Sequence, residues 1–368
     1  MCAIIEKIQK EVPIMSTNEN KDKKAEVTAL QAISAEDRKD WISLAFVQAG
    51  ICVCVPAFLL GALLAEAMPI WPAIISGSLG YLIVVVGMVA TGMIGCDLGL
   101  ASCTCCQAGF GKSGARFIVS TIFAVNMIGW FGIQNGVCGE AFSNAMLAMT
   151  GWDIPVVVSN TIWGIIMLLT AVYGVHALEK LDKISIPLLM IIMCYGTFLA
   201  FKVYGTGNLN DEGTVQSMSF MSGVALSFNF TAVGTITGPD YTRFQKSRKD
   251  TVKSVFYGVF PMGVITLIMG IVLTKLSGQY DISMVLIEVG LPLLGIIALV
   301  ISTWTTNSTN AYSAGLNIVM ALKLKDNRRR EATLISGIVG IVLCDLGILG
   351  HVEGVLSLLS YVVCPVGG

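Results

Sequence analysis

Long apolar segments follow one another along the chain after residue 40, separated by short polar stretches. Each segment is close to the ~20 residues that a helix needs to cross the hydrocarbon core of a bilayer. The core of a soluble protein has no use for so many segments of this length. The pattern predicts an integral membrane protein with ten helical spans, at residues 42–64, 70–94, 116–149, 155–175, 184–202, 216–238, 252–274, 286–322, 333–349 and 352–368.

The two ends of the chain differ from its middle. Residues 1–40 are polar from Ile14 onward, with mixed charge and no apolar period, which predicts a disordered cytoplasmic tail. The chain stops at Gly368 inside an apolar segment. We therefore expect the tenth span to be incomplete and the protein to be truncated at its C-terminal end.

Lys and Arg are unevenly distributed among the predicted loops. If the N-terminus is inside, all but two of the 23 Lys and Arg residues lie in the tail or in inside loops, and the two exceptions are Lys202 and Lys275. Cytoplasmic loops of membrane proteins carry such an excess. The distribution predicts a multi-pass protein of the cytoplasmic membrane, embedded in the lipid bilayer with its N-terminus in the cytoplasm.

Composition excludes several classes of protein. Hydrophobic residues make up 55% of the chain and charged residues 13%, against the ~25% charged residues of a typical soluble domain. The formal net charge is −1, so no bulk field attracts nucleic acid. Two histidines, without an H-E-x-x-H motif or paired carboxylates at helical spacing, predict that the protein is not an enzyme. Nothing indicates an obligate protein partner.

Two of the predicted spans are interrupted. The first contains Gly50, the stretch Cys52–Pro56 and Gly61, and the sixth contains Ser227–Gly234 followed by Gly238–Pro239. Broken helices at corresponding places in two halves of a chain are typical of a transporter's binding site at the middle of the membrane. Gly and Pro are also common in membrane helices because they permit close packing, and this alternative stays open.

The eighth span carries a polar stripe. Its members are Ser302, Thr305, Thr306, Thr309 and Asn310, at offsets of 0, 3, 4, 7 and 8, which places them on one helical face. Their hydroxyl and carbonyl oxygens suit a hard cation such as sodium. The alternative is hydrogen bonding between helices, which Ser, Thr and Asn often make in membranes.

An aromatic residue lies deep in the third span. Trp130 stands between Gly129 and Phe131, away from the interfacial positions where Trp is usual, and Gln134 follows one turn later on the same side. A flat indole suits an aromatic solute, since stacking on a base contributes ~1–3 kcal/mol. Packing of Trp130 among helices is the alternative.

Four stretches of the chain resemble the bacterial cytosine permeases of the nucleobase–cation symporter family. These stretches are Phe46–Gly50, Gly129–Gly132, Gly234–Thr237 with Asp240–Phe244 after it, and Trp304–Asn307 with Tyr312. The likeness extends from about residue 41 to the end of the chain. It implies an all-α membrane protein with the five-plus-five inverted repeat of the leucine-transporter type and broken first and sixth helices. The first repeat would occupy residues 41–203 and the second 204–368.

The resemblance also implies roles for individual residues. The expected substrate-binding residues are Trp130, Gln134, Asn229, Phe230 and Asn307, together with Asn310 of the polar stripe. The expected sodium ligands are Gly50 and Cys54 through their carbonyls, Ser302 through its carbonyl, and Thr305 and Thr306.

These observations favour a secondary active transporter that imports a neutral nucleobase, cytosine or a related heterocycle, by cation symport and alternating access. Sodium is the expected cation and a proton the alternative. Met127 stands one turn before Trp130, where cytosine permeases present a Gln, and Gln134 matches the hydantoin-transporting relatives instead. A hydantoin or allantoin-type solute, or an amino acid or amine, therefore remains an alternative.

Overall fold

The computed structural model describes residues 30–210, 218–279 and 282–347, and within these ranges the chain folds into α-helices without any β-strand. In the first part of the chain the helices are α1 (Trp41–Cys52), α2 (Val55–Ala67), α3 (Ile70–Leu98), α4 (Ser102–Cys105), α5 (Gln107–Gly114), α6 (Thr121–Thr150), α7 (Val156–Tyr173) and α8 (Val175–Tyr204). A π-helical turn, Ala115–Ser120, joins α5 to α6.

The second part of the chain continues the same architecture. Its helices are α9 (Phe220–Thr231), α10 (Val233–Thr242), α11 (Arg248–Ser277), α12 (Ile282–Glu288), α13 (Pro292–Ala321) and α14 (Arg329–Asp345). Short 3₁₀ turns are found at Ala35–Asp37, Gly207–Asn210 and Asp326–Arg328.

The helices agree with the predicted spans to within a few residues for most of the chain. In the described ranges six helical segments are long and apolar enough to cross a membrane, and the bent pair α1 and α2 would make a seventh. The eighth span begins at Pro292 rather than at 286, because Gly290, with φ +85°, separates it from α12. The predicted tenth span, 352–368, lies outside the described residues.

Helix α3 shows why the bundle belongs in a bilayer. Ile75, Leu79, Ile83 and Val86 recur along one face, and each is at least 39% exposed, whereas the opposite face is buried against α9, α10 and α11. A continuous exposed apolar stripe on a long helix is expected to face lipid. The chain is therefore a multi-pass membrane protein.

The first span is broken as predicted. Helices α1 and α2 meet at an angle of 54°. Val53 (φ −88°, ψ 75°) and Cys54 (φ −145°, ψ 159°) have left the helical region, and Pro56 lies in the first turn of α2, where its missing N–H is tolerated. Because Cys54 is extended, its N–H cannot close a helical bond to the carbonyl of Gly50.

The sixth span is interrupted less sharply than the first. A single residue, Ala232, separates α9 from α10, and its backbone angles are still helical (φ −56°, ψ −30°). The span also continues past its predicted end at residue 238, since α10 includes Pro239 and ends at Thr242. The Thr242 hydroxyl donates to the carbonyl of Gly238 at 3.1 Å within this last turn.

The end of the predicted disordered tail is ordered. Arg38 donates from its guanidinium to the carbonyls of Cys96 (2.8 Å) and Gln245 (3.0 Å), and Lys39 forms an ion pair with Glu179. Residues 30–40 are thus held against the ends of α3, α8 and α10, because two cations find acceptors there. Residues 1–29 lie outside the described part of the chain.

Helix α13 is the most enclosed of the long helices. It packs against α1, α6, α7, α8 and α14, and the whole polar stretch from Ser302 to Thr309 is buried except for Trp304. Polar side chains at this depth must find partners in the protein or in a cavity. The polar stripe therefore faces the interior of the bundle.

Candidate solute cavity and cation site

A cavity lies between the break in the first span, α3, α6, the α9–α10 junction and α13. Its empty volume, including solvent space at its mouth, is about 890 Å³. Of the described residues that line it, none is Asp, Glu, Lys or Arg. The wall is mostly apolar and includes Ile51, Cys54, Ala57, Tyr81, Val84, Met88, Met127, Trp130, Phe230, Val233 and Val259.

Two aromatic rings form one side of the cavity. The ring centroids of Trp130 and Phe230 are 6.3 Å apart and their planes are inclined at 68°, an edge-to-face contact. Both residues were expected to enclose a base from opposite faces. A planar ring between two parallel rings needs their centroids about 7 Å apart, so the rings do not form such a clamp in this arrangement.

Polar groups reach the cavity at a few points only. Gln134 and Asn310 line it as expected, and Thr309 lies beside Asn310. Gln48 also lines the cavity, although the sequence reasoning did not select it. Its Nε2 donates to Ser254 Oγ at 3.4 Å, and its buried Oε1 has no hydrogen-bond donor. The side-chain amides of Gln134 and Asn310 provide both acceptors and donors for a neutral heterocycle.

Two of the expected substrate residues are placed elsewhere. Asn229 is exposed and absent from the cavity wall, because it lies about 100° around α9 from Phe230. Asn307 is fully buried, but its Nδ2 donates to the carbonyl of Phe131 at 3.1 Å and to Met167 Sδ at 3.5 Å. Its Oδ1 accepts from Asn310 Nδ2 at 3.3 Å, so Asn307 joins helices and supports Asn310 from behind.

The expected cation ligands of α1 and α13 converge. The Thr306 hydroxyl lies 2.8 Å from the carbonyl oxygen of Gly50 and 3.1 Å from that of Ser302. The Thr305 hydroxyl lies 3.4 Å and 3.0 Å from the same two oxygens. We call these two hydroxyls and two carbonyls the oxygen cluster. Such hard, neutral oxygens fit sodium.

Cys54 is placed differently from the other expected ligands. Its carbonyl accepts the N–H of Ala57 at 3.0 Å and so caps the first turn of α2, while its thiol donates to the carbonyl of Ile51 at 3.4 Å. Cys54 also lines the cavity. The Cys54 carbonyl therefore stabilises the chain at the break in the first span, and Cys54 is not part of the oxygen cluster.

A bundle of membrane-crossing helices around a neutral, aromatic-lined cavity defines a membrane transporter rather than an enzyme. The chain belongs to the family of permeases for cytosine/purines, uracil, thiamine and allantoin, whose model matches residues 33–368. This confirms the resemblance to the nucleobase–cation symporters, and a transporter of small heterocycles is the class of protein that follows.

Individual relatives agree with this assignment. The chain is 29% identical over 335 residues to the cytosine permease of Escherichia coli strain K12, covering 90% of this chain and 77% of that protein. It is 24% identical over 368 residues to the purine-uracil permease NCS1 of Arabidopsis thaliana, covering 89% and 60%.

A solved structure matches the fold. Mhp1, a nucleobase-cation-symport-1 family transporter in a closed conformation with bromovinylhydantoin bound, superposes with a TM-score of 0.80 at 18% identity, covering 91% of this chain and 77% of that chain. The expected all-α membrane transporter fold is thereby confirmed.

Proposed function

We propose that the protein imports a neutral nucleobase, cytosine or a related heterocycle, together with sodium and by alternating access. One observation carries the proposal: Thr306 belongs both to the wall of the neutral cavity and to the oxygen cluster. A solute in the cavity and a cation in the cluster would thus share one side chain. Each would then raise the affinity of the other by the same factor.

The residues of the cluster would hold sodium between two helices that must move relative to each other. Gly50 belongs to α1 and Ser302, Thr305 and Thr306 belong to α13, so a cation ligated by all four would tie the broken first span to the eighth. When bound, sodium would supply a positive charge where the protein offers only oxygen acceptors. The hydroxyls, which now donate to carbonyls, would then turn their lone pairs to the ion.

The arrangement of the chain in the membrane is part of the same proposal. We place the N-terminus and residues 30–40 in the cytoplasm, following the distribution of Lys and Arg. Residues 41–203 and 204–368 would form two inverted repeats. Rocking of the helical bundle would expose the cavity to each side in turn.

A hydantoin or allantoin-type solute is the second candidate. Gln134 and Met127 both line the cavity, so the amide that α6 offers to a solute lies one turn after Trp130 rather than one turn before it. A site that hydrogen-bonds its solute rejects analogues that leave its buried polar groups unpaired. The position of this amide will therefore decide between a pyrimidine and a hydantoin ring.

Uptake into proteoliposomes tests the proposal. Labelled cytosine, uracil, hypoxanthine, allantoin and a hydantoin would be offered with and without an inward sodium gradient, with an amino acid and an amine as further candidates. We expect uptake of at least one heterocycle, increased by the gradient. Failure of the protein to take up any heterocycle would contradict the proposal. Uptake driven equally well by a proton gradient alone would identify the proton, and not sodium, as the coupled cation.

Trp130 is the residue on which the cavity assignment rests. Trp130→Ala should weaken heterocycle binding by about 1–3 kcal/mol, the contribution of one stacking contact. Trp152→Ala is the matched control, because Trp152 is 69% exposed in the loop after α6. Equal binding by the two variants would place the solute elsewhere.

A further inference from the structure

One buried carboxylate has no partner. Glu179, Asp182 and Asp240 are the buried acidic residues of the described ranges, and Asp182 is fully buried. Glu179 pairs with Lys39 and Lys183, and Asp240 accepts several hydrogen bonds, whereas neither carboxylate oxygen of Asp182 has a hydrogen-bond donor. A buried charge without a partner is strongly unfavourable, so a carboxylate kept in this state points to a ligand that supplies the missing partner.

Asp182 lies directly against the backbone of the proposed cation site. A Cβ atom on Gly50 would lie 2.6 Å from Oδ1 of Asp182 and 3.3 Å from Oδ2. Only glycine therefore lets the carboxylate come this close to α1. The carbonyl of the same Gly50 accepts the hydroxyls of Thr306 and Thr305, so the carboxylate lies against a residue of the oxygen cluster.

The face of α8 that carries Asp182 leads to the same place. Ile186, Leu189 and Met193 follow Asp182 at helical spacing, and they pack in one apolar cluster with Ala49 of α1, Val53 at the break and Ala298 of α13. Asp182 occupies the turn of this face that precedes Ile186, where the apolar cluster ends. It thus continues a surface that is enclosed between α1 and α13, the two helices that form the oxygen cluster.

We propose that Asp182 is a further ligand and the counter-charge of the cation site, an inference that rests on the proposed sodium coupling. The oxygen cluster is neutral, so without Asp182 a cation would enter the bundle with no opposing charge. A carboxylate at the edge of the cluster compensates the positive charge of the ion, and the ion supplies the partner that Asp182 lacks. Three helices, α1, α8 and α13, would then meet at one cation.

Sodium-dependent thermal unfolding tests this role without measuring transport. The full chain in detergent would be titrated with sodium chloride against choline chloride at constant ionic strength, and the sodium dissociation constant read from the rise of the unfolding temperature. We expect Asp182→Asn to weaken sodium binding at least about tenfold, since loss of a nearby charge outweighs loss of one neutral oxygen. Asp182→Ser, smaller and also uncharged, should show the same loss.

Matched variants separate a ligand from a structural residue. Asp153→Asn, in the exposed loop before α7, should bind sodium as the unchanged protein does. Thr306→Ala should weaken sodium binding, and combining it with Asp182→Asn should give less than the sum of the two losses, because both residues would serve one ion. A structural residue would lower the unfolding temperature in choline chloride and leave the sodium response intact.

Two results would overturn the inference, and they differ in what else they affect. Sodium affinity unchanged in folded Asp182→Asn or Asp182→Ser would remove Asp182 from the site and leave the proposed coupling standing. Absence of any sodium response in the unchanged protein would overturn the cation site and Asp182 together. Heterocycle binding measured in the same samples shows whether the solute cavity survives in that case.

Discussion

Two aspartates at equal depth in the molecule have opposite surroundings. Asp240, in α10, accepts the N–H of Ser102 at 2.9 Å, the hydroxyl of the same serine, and the hydroxyl of Ser313 at 3.0 Å. Asp182, in α8, is just as fully buried and accepts nothing from the described residues. Burial alone would give both residues the same role.

The two carboxylates differ in the hydrogen-bond donors around them, and this difference separates a structural role from a binding role. The donors of Asp240 come from the start of α4 and the middle of α13, so this residue fastens the end of α10 to two neighbours. The protein itself completes that arrangement. Asp182 accepts no hydrogen bond from the described residues, and Gly50, whose backbone it approaches, belongs to the oxygen cluster.

Removing the charge of Asp240 should have the largest effect on stability. Asp240→Asn replaces an acceptor of three hydrogen bonds by a group that must also place two donors, and each charge-assisted bond contributes about 1.5–3 kcal/mol. We expect the free energy of unfolding to fall by about 3 kcal/mol, measured by denaturation in detergent without sodium. Stability equal to that of Asp153→Asn would contradict this view of Asp240.

Enlarging Gly50 should have the next largest effect. The Cβ of Gly50→Ala would collide with the Asp182 carboxylate, and overpacking of this kind costs about 1–3 kcal/mol. The collision should be relieved when Asp182→Ser shortens the opposing side chain. A double-mutant cycle on unfolding free energies should therefore give a coupling of about 1 kcal/mol or more. Additive effects would show that the two residues do not touch.

Removing the charge of Asp182 in the absence of sodium should change stability little. Asp182→Asn breaks no hydrogen bond, so we expect the free energy of unfolding to stay within about 1 kcal/mol of the starting value or to rise. The measurement is denaturation in choline chloride beside Asp240→Asn. A loss as large as that of Asp240→Asn would mean that the protein already satisfies this carboxylate.

A solvated carboxylate gives the smallest effect and completes the comparison. Asp97 forms an ion pair with Arg248, in which Nε lies 3.0 Å from both carboxylate oxygens, but the side chains are 32% and 66% exposed. Exposed pairs contribute little and are screened by salt. Asp97→Asn should shift the unfolding temperature only slightly at low salt and not at high salt. A shift that persists at high salt would show that this pair is effectively buried.

Most of the fold could be predicted from the sequence, because a long apolar segment is the main sequence signal of a membrane-spanning helix. The break of the first span followed from Pro56 and from the residues before it, and the polar stripe of α13 followed from its spacing. The sixth span was harder, since Gly238 and Pro239 suggested an end that the helix passes without stopping. Neighbouring helices enclose that turn and hold it together.

Individual side chains of the site were less predictable for a physical reason. Asp182 belongs to the run Glu179–Lys183, which has the composition of a charged loop. The sequence does not show that α8 begins at Val175 and buries the Asp182 carboxylate. Gln48 was equally hidden in an apolar helix. Asn229 lies outside the cavity wall because neighbouring residues on a helix point in directions about 100° apart.

The contact between Trp130 and Phe230 bears on how affinities for this protein will be understood. An edge-to-face pair has its own attraction, and a flat molecule can enter between the rings only after they separate. The dissociation constant of a ligand that enters between the rings will therefore include the free energy of separating them. A ligand that binds beside the indole and leaves the ring pair intact does not lose this free energy. The ligand with the highest affinity therefore need not be the one with the largest stacked area.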